Sequence, residues 1–488
     1  MLREDQIKLT DKQNECVNYP VEKNILVRGI AGSGKSLVIV RRAKKMCDQA
    51  KARGMKPKIV IYTYINTLVD YMNEVIAFGS EYADRITVKT LDADIQTVYK
   101  QVFNKYRLPY VYTSKYQMVE ILKEITEELS RKSNNRFLRE DMQDFLLEEL
   151  TWMKQHMFAK SEEYLDCVRK GRGKIRVSKQ DRNLIFSVYQ QFYDEMNEKY
   201  ENNIDLLCER LYKEKAKIPE TCKYDFVLID EAQDLTLNKL LIAKELTRAS
   251  LTIAADFGQK IYNSGFTWKE IGISFRGQAA KKLSGTHRNT YEIAALANSL
   301  LENNTELRNM DEDDAYTKPV LPERRGEKSV LRYTTTLSSE GREVRELVKQ
   351  IRAGNKDFTI GVLARDKYCM ATVQDWFSGM NYQVIVHKGD YKVLEPGLKL
   401  VTYHSAKGLE FDVVILPMLD DGLFPYKSRN QDVSTEVLED LLNNAINLLY
   451  VGMTRARTKL FMFAGDGSSR KASELLDKLD TNYLDIIK

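Results

Sequence analysis

The chain has 488 residues, of which 43% are hydrophobic and 30% are charged. At about 100 to 200 residues per domain, this length predicts about three units with full-sized cores and excludes a small disulfide-stapled scaffold. The 75 basic and 70 acidic residues give a net charge of +5, a near balance that does not by itself indicate a polyanionic partner. The sequence contains no apolar run near the about 18 residues of a membrane span and no apolar core at its start, so we expect a cytoplasmic protein without a membrane partner.

Apolar runs alternate with helical periodicity from the first strand onward. Strands are predicted at residues 24–28 and 57–63, with a helix between them. This alternation indicates a parallel α/β sheet with helices on both faces. Between about residues 95 and 222 long helical stretches replace the strand-like runs, and the sheet pattern then resumes at residues 226–229 and 251–254. The helical part is therefore predicted to be an insertion that interrupts one domain.

A second α/β set follows. Its candidate strands are residues 329–333, 359–364, 382–387, 399–402, 413–416 and 459–463. The predicted domains are a first sheet domain of residues 1–95 and 223–280, a helical insertion domain of residues 96–222, and a second sheet domain of residues 281–488.

Residues 29–36 (GIAGSGKS) fit the phosphate-loop pattern G-x-x-x-x-G-K-[ST] between a predicted strand and helix. Glycines let backbone N–H groups converge on a phosphate, with the positive end of the helix dipole behind them. Lys35 is expected to reach the β- and γ-phosphates of ATP, and the hydroxyl of Ser36 to join a Mg²⁺ shell. The residues expected to contact the nucleotide in this loop are Gly29, Ile30, Ala31, Gly32, Ser33, Gly34, Lys35, Ser36 and Leu37.

Two adjacent carboxylates follow the predicted strand at residues 226–229, at the sheet edge where open α/β sheets bind ligands. Asp230 is predicted to hold the metal, directly or through water, because Mg²⁺ prefers oxygen ligands. Glu231 is predicted to act as the base for an attacking water. An Asp-Glu pair after a strand also serves as a helix N-cap, and only its combination with the phosphate loop favours the catalytic interpretation.

Further motifs, in order along most of the chain, resemble the UvrD/Rep group of superfamily-1 helicases and translocases. They are residues 9–13 (LTDKQ), 230–234 (DEAQD), 256–262 (DFGQKIY), 286–290 (THRNT), 402–411 (TYHSAKGLEF), 420–425 (DDGLFP) and 449–456 (LYVGMTRA). The resemblance implies an α/β fold of the P-loop NTPase type, with two RecA-like parallel-sheet motor domains and an α-helical insertion in the first.

The resemblance also implies that both motor domains contact the nucleotide. The adenine would meet Gln13 and His287, the ribose Glu410 beside Gly408, and the γ-phosphate Gln259, Arg288 and the arginine finger Arg455. Together with Lys35 and Glu231, the three γ-phosphate residues form the predicted catalytic set. Because positioned cations stabilise a phosphoryl-transfer transition state, hydrolysis would require the two motor domains to close on ATP.

Single-stranded nucleic acid is expected to cross the tops of both motor domains, stacking on aromatic side chains. The residues that the resemblance assigns to this path are Tyr64, Asn66, Tyr262, Thr402 and His404. A separate segment of the insertion, residues 169–182, holds seven basic residues against one acidic residue. That density predicts either a phosphate-contacting loop or a solvated charge run.

The sequence therefore predicts a Mg²⁺- and ATP-dependent motor that hydrolyses ATP. The resemblance implies that it moves 3′ to 5′ on single-stranded DNA, with RNA not excluded. Only 39 positions separate Arg365 from His404, so we expect the second accessory insertion of duplex-unwinding relatives to be missing or vestigial. This expectation puts autonomous unwinding in doubt. It favours a translocase or a motor that a protein partner activates. The alternatives are an ATP-driven remodelling factor of RNA polymerase and an ATP-gated regulatory subunit of a repair or phage-defence nuclease assembly.

Overall fold

The computed structural model describes residues 8–64, 66–77, 82–108, 114–169, 175–200, 203–256, 266, 268–273, 275, 277–286, 288–305, 319–385, 395–426 and 435–488. Its strands form two separate sheets in which every pairing is parallel. Parallel strands need crossover connections, and helices on both faces supply them here. The predicted α/β class with two motor-type sheets is therefore confirmed.

The first sheet has the strand order β3-β2-β4-β5-β1-β6. Its strands are β1 Ile25–Gly29, β2 Ile59–Thr63, β3 Ile86–Thr90, β4 Tyr224–Ile229, β5 Thr247–Ala255 and β6 Ala280–Leu283. The four strands predicted from the sequence are the four interior ones. The two edge strands, β3 and β6, were not predicted.

The second sheet has the order β13-β7-β12-β11-β8-β10-β9. Its strands are β7 Ser329–Thr334, β8 Thr359–Ala364, β9 Gln383–Ile385, β10 Gly397–Thr402, β11 Phe411–Leu416, β12 Ala456–Gly465 and β13 Leu484–Ile487. All six predicted strands are present, and the additional strand β13 lies at an edge.

Fourteen α-helices occur within the described residues. They are α1 Asp11–Asn18, α2 Lys35–Ala52, α3 Asn66–Ala77, α4 Leu91–Val102, α5 Lys115–Ser130, α6 Gln143–Gln155, α7 Ser161–Asp166, α8 Lys179–Lys199, α9 Ile204–Lys213, α10 Leu237–Glu245, α11 Tyr291–Leu301, α12 Leu337–Gly354, α13 Lys367–Trp376 and α14 Thr435–Met453. Within this part of the chain, none of the helices combines the length and the apolar character needed to cross a membrane.

Alternating strand residues send their side chains to opposite faces of each sheet. In β1, Leu26 lies in the core shared with α4, α9 and α10, whereas Ile25 and Val27 lie in the core shared with α1, α2 and α3. In β8, Val362 packs with α12 and α13, whereas Leu363 packs with α11 and α14. This burial on both faces explains why the interior strands are continuous apolar runs.

The insertion has a helical core of its own, formed mainly by α5, α6, α7 and α8. Its interior also contains a buried carboxylate, Glu149, which accepts hydrogen bonds from the Arg169 guanidinium at 2.6 and 2.8 Å and from the Tyr164 hydroxyl at 2.7 Å. A second buried pair joins Lys154 to Glu209. Each buried charge in these two sets therefore has an opposite partner.

The predicted domain limits are only partly matched by the elements. The strand β6 pairs with β1 up to Leu283, so the first sheet continues past the limit predicted after residue 280. The helix α4 crosses the limit predicted after residue 95, and its residues Ile95 and Val98 pack in the core of the first sheet. The extent of each domain otherwise remains a prediction.

Candidate active site

The loop between β1 and α2 has the backbone that its glycines allow. Gly32 and Gly34 have φ angles of 71° and 82°, in the left-handed region that favours glycine. Gly34 is also the N-cap of α2. Because glycine has no side chain with which to cap the helix, the first backbone N–H groups of α2 are available to an anion.

Lys35 lies inside this loop and is only 6% exposed. Its ammonium group donates hydrogen bonds to the carbonyls of Gly29 at 2.9 Å and Ile30 at 3.0 Å, and it forms an ion pair with Asp256 at 3.3 Å. Asp256 follows the end of β5, and the sequence had assigned it no role. The ammonium is therefore held at the mouth of the phosphate loop by three oxygen atoms.

Ser36 and Asp230, the two predicted metal ligands, lie next to each other. The hydroxyl of Ser36 donates to the carboxylate of Asp230 at 2.5 Å. Asp230 is fully buried, and burial together with the negative charge of Glu231 raises its pKa to about 6. A buried carboxylate in this state lacks sufficient compensating positive charge, and a divalent cation would supply it. The two oxygen donors therefore fit Mg²⁺.

Glu231 has an unusual backbone for a non-glycine residue, with a φ angle of 53°. Gln233 donates a hydrogen bond to its carboxylate and accepts one from the backbone N–H of Asp256 at 2.8 Å. Burial tends to raise the pKa of Glu231, but the charges of Lys407, Lys35 and Arg455 outweigh it and lower the pKa overall. An ionised, oriented carboxylate suits the predicted role as base.

Lys407 reaches this site from the second sheet domain, although the sequence had suggested no role for it. Its buried ammonium donates to the carboxylate of Asp234 and lies 3.9 Å from that of Glu231. Burial, opposed by Lys407, raises the pKa of Asp234 to about 7. The signal in the sequence was a lysine within the motif of residues 402–411.

The second domain also brings Arg288 to the phosphate loop and Arg455 to the neighbourhood of Arg288 and Glu231. A Cβ atom added to Gly32 would lie 2.7 Å from Cβ of Arg288, so the loop and this arginine are in close contact. Arg455 is 1% exposed, and burial together with the charge of Arg288 lowers its pKa to about 9. The structure therefore places two mutually repelling cations near each other, one of them against the phosphate loop.

Glu410 forms an ion pair with Arg288 at 2.7 Å, and this pair and Arg457 lower its pKa against the opposing effect of burial. Gln13 lies on the other side of the loop, where its amide nitrogen donates to the carbonyl of Ser33 at 2.9 Å. Its amide oxygen accepts from the backbone N–H of Thr10 at 2.9 Å. Since an amide has two donors and two lone pairs, Gln13 retains capacity for a base edge.

The residues predicted to contact nucleic acid lie on both domains. Asn66 is exposed at the start of α3, next to the half-buried Tyr64. Thr402 ends β10, and His404 follows it. The same loop reaches Gly408, whose added Cβ would lie 3.0 Å from Leu68 of α3, so the structure brings the two groups of candidates to neighbouring elements.

Three further predicted site residues, Gln259, Tyr262 and His287, lie outside the described residues. Their roles, like those of the other site residues, remain predictions.

The basic segment of the insertion is corrected in part. Arg169 binds the buried Glu149, and one guanidinium nitrogen of Arg182 donates to the carbonyls of Tyr164, Leu165 and Cys167 at 2.8 to 2.9 Å. These two arginines stabilise the interior of the insertion and are not available as surface cations. Arg176 and Lys179 are exposed, and residues 170–174 lie outside the described residues. The predicted phosphate contact is thus confined to fewer cations.

Comparison with known proteins adds independent information. The model of the UvrD/REP helicase N-terminal domain matches residues 9–269, and that of the UvrD-like helicase C-terminal domain matches residues 390–466. The chain is 44% identical over 73 residues to the "ATP-dependent DNA helicase PcrA" of Leuconostoc citreum, covering 15% of this chain and 9% of the relative. It is 46% identical over 63 residues to the "ATP-dependent DNA helicase UvrD1" of Mycobacterium bovis, covering 13% of this chain and 7% of the relative.

A solved structure, the C-terminal domain of a possible DNA helicase from a Lactobacillus, covers 42% of this chain and 99% of that chain at 18% identity, with a TM-score of 0.29. The matched segments cover less than a tenth of the length of these two curated relatives. The N-terminal family model, in contrast, matches more than half of the chain. The chain therefore belongs to the UvrD/REP helicase family.

Proposed function

We propose that the protein is an ATP-dependent motor, which hydrolyses ATP to ADP and phosphate and couples this reaction to binding of, and 3′ to 5′ movement on, single-stranded DNA. The main supporting observation is that cations of the second sheet domain contact the phosphate loop and the carboxylate segment 230–234 of the first. Arg288 lies against Gly32, and Lys407 contacts Asp234. An ATP phosphate bound in the loop would therefore be enclosed by both domains.

The first domain binds the phosphates of ATP and activates the attacking water. Lys35 and the N-terminal N–H groups of α2 bind the β- and γ-phosphates. Glu231, whose pKa is lowered, accepts a proton from the attacking water. Ser36 and Asp230 would hold Mg²⁺, which when bound neutralises phosphate charge. Gln13 would orient the adenine.

The second domain completes the charge stabilisation. Arg288 and Arg455 would face the γ-phosphate, where negative charge accumulates in the transition state, and Glu410 would bind the ribose. Because Lys35 and Arg455 belong to different sheets, any change in the spacing of the domains changes the catalytic set. The nucleic-acid candidates Asn66 and His404 also lie on different domains, so the same change would alter the spacing of contacts along a strand.

The test is steady-state ATP hydrolysis with and without single-stranded DNA or RNA. Lys35→Ala is the inactive reference, and Lys51→Ala, which removes an exposed lysine from the same helix, is the matched control. We expect DNA to stimulate hydrolysis tenfold or more, about 1.4 kcal/mol of coupling. The proposal would be contradicted if the protein did not hydrolyse ATP, or if Lys35→Ala hydrolysed it as fast as wild type.

Two other outcomes would redirect it. Stimulation by RNA alone would change the proposed track. Turnover that depends on Lys35 but responds to neither polymer would favour a remodeller or a regulatory subunit that is gated by a protein partner.

A further inference from the structure

One buried amide connects the two chain segments that carry the arginines of the second domain. Asn289, which follows Arg288, is 2% exposed. Its side-chain nitrogen donates hydrogen bonds to the carbonyl of Thr454 at 3.2 Å and to the carbonyl of Ala456 at 2.5 Å. These two carbonyls come from the residues on either side of Arg455. The amide therefore holds the backbone of Arg455 from both sides.

A second connection lies just outside the first. The guanidinium of Arg324 donates to the carbonyl of Arg288 at 2.7 Å and also to the carbonyl of Arg457. The backbone N–H of Tyr291 in turn donates to the carbonyl of Arg324 at 2.7 Å. Segment 288–291 and segment 454–457 are thus joined at two places, although they are more than 160 residues apart in sequence.

Holding these segments together has an electrostatic cost. The guanidinium groups of Arg288 and Arg455 repel each other, and this repulsion together with burial disfavours the charged form of Arg455. This repulsion favours a larger spacing of the two guanidinium groups, and the hydrogen bonds to the backbone of segment 454–457 oppose it. A phosphoryl group between them would remove the repulsion, but only if the spacing had been kept.

We propose that Asn289 is a positioning residue, which keeps Arg288 and Arg455 at one fixed spacing so that both reach the same phosphoryl group. This inference rests on the proposed ATP hydrolysis and adds to it a residue that acts only through the backbone of Arg455. Asparagine suits the task because its nitrogen carries two N–H donors and no charge. A serine could donate to only one carbonyl, and a lysine would add a third cation.

The first test compares Asn289→Ala with Asn304→Ala. Asn304 is a matched control because it is also a fully buried amide of the second domain, donating to Asn447 at 2.8 Å and to the carbonyl of Asn443 at 3.3 Å, away from the arginines. We expect Asn289→Ala to lower kcat at least tenfold, with KM for ATP and affinity for ADP within twofold of wild type. Asn304→Ala should leave kcat within twofold, even where both variants lose similar thermal stability.

A transition-state analogue separates positioning from general damage. ADP with aluminium fluoride imitates the phosphoryl group during transfer, whereas ADP alone does not need the arginine pair. Asn289→Ala should weaken binding of the analogue at least tenfold and leave ADP binding unchanged. Equal losses for both ligands, or a kcat equal to that of Asn304→Ala, would overturn the inference.

A double variant tests whether the effect passes through Arg455. In the Arg455→Ala background, adding Asn289→Ala should cause no further loss of kcat, and an additive loss would overturn the inference. If Asn289→Ala does not fold, Asn289→Ser keeps one donor and should show an intermediate kcat. A wild-type protein without Lys35-dependent hydrolysis would overturn the proposed function and this inference together, whereas an active wild type with an unaffected Asn289→Ala variant would overturn the inference alone.

Discussion

Buried charges occur in two regions of this protein, and the two regions differ in the charge of the groups that surround them. In the insertion, the carboxylate of Glu149 is surrounded by donors, and its bonds to Arg169 raise the pKa of that guanidinium despite the opposing effect of burial. At the junction of the sheets, Asp230 lies beside Glu231, and Arg455 lies near Arg288, so that charges of like sign are neighbours. Burial therefore opposes the charged form in both regions. The Glu149–Arg169 pair offsets this effect, whereas a like-charged neighbour adds to it at Asp230 and Arg455.

This difference indicates what each region is for. A buried pair of opposite charges holds helices in place and needs no ligand to balance its charge. The like-charged neighbours Asp230 and Glu231, and Arg288 and Arg455, become more favourable when a ligand of opposite charge, such as a metal ion or a phosphate chain, joins them. We therefore expect buried neighbours of like charge to mark a functional site. We expect buried pairs of opposite charge to contribute to stability.

The largest effect should come from the strained region. Arg455→Ala is expected to lower kcat for ATP hydrolysis by about 10³-fold or more, the range known for arginine fingers, while the affinity for ATP changes little. Stability should not fall in proportion, because burial and the charge of Arg288 disfavour the charged form of Arg455 in the wild-type protein. Single-turnover kinetics and nucleotide titration measure the two effects separately.

Arg345→Ala is the control for this change, because Arg345 donates to the carbonyls of Trp376 and Ser378 at 2.8 and 2.9 Å on the far side of the second domain. A parallel loss of turnover and ATP affinity in Arg455→Ala would argue against the finger role.

The matched region should respond in stability. Arg169→Ala removes the guanidinium that pairs with the buried carboxylate of Glu149, which we expect to cost about 3 to 5 kcal/mol of unfolding free energy. Replacing both partners by apolar residues, Glu149→Leu with Arg169→Met, should cost much less. Urea denaturation followed by circular dichroism measures both. If the single and double variants had the same reduced stability, the pair would not be a stabilising unit.

The pair Asp234–Lys407 allows a test by pH. Asp234 faces Lys407, Glu231 and Asp256, and its pKa of about 7 in the fold exceeds the value of about 3.9 in an unfolded chain. The contribution of protonated Asp234 to the free energy of unfolding is therefore fully present below about pH 4. It is lost as the pH rises through about 7. Asp234→Asn should be less sensitive to pH than wild type in thermal unfolding between about pH 5 and pH 8. Parallel curves for the two proteins would show that Asp234 is not the titrating group.

The smallest effect concerns the surface of the insertion. If Arg176 and Lys179 bind backbone phosphates, replacing both with glutamine should reduce the salt dependence of single-strand binding by about 0.7 in slope for each phosphate that is no longer neutralised. The exposed pair Lys123 and Lys132, which form ion pairs with glutamates on α5, is the control and should not change the slope. Fluorescence titrations over a range of salt concentrations provide the slopes. An unchanged slope for Arg176 and Lys179 would indicate a solvated charge run.

The interior of both sheets could be predicted from the sequence, but part of their edges could not. Strands such as β4 and β8 are buried on both faces, and burial requires a continuous apolar run that is visible in the sequence. The edge strands β3, β6 and β13 are short and partly exposed, with polar residues such as Lys89 and Lys282 among the apolar ones. Their strand character comes from a neighbouring strand that offers hydrogen bonds, which is a property of the fold.

The candidate site divides in the same way. The sequence by itself was enough to predict Lys35, Ser36, Asp230 and Glu231 as site residues, because each pair is adjacent in the chain and its strand-to-helix setting is local. Only the tertiary structure decided that Lys407 meets Asp234, 173 positions away, and that Asn289 holds the residues on either side of Arg455. It also decided that Arg169 and Arg182 serve the interior of the insertion. Charge and donor count can be read from the chain, whereas the partner of each group depends on which elements the fold packs together.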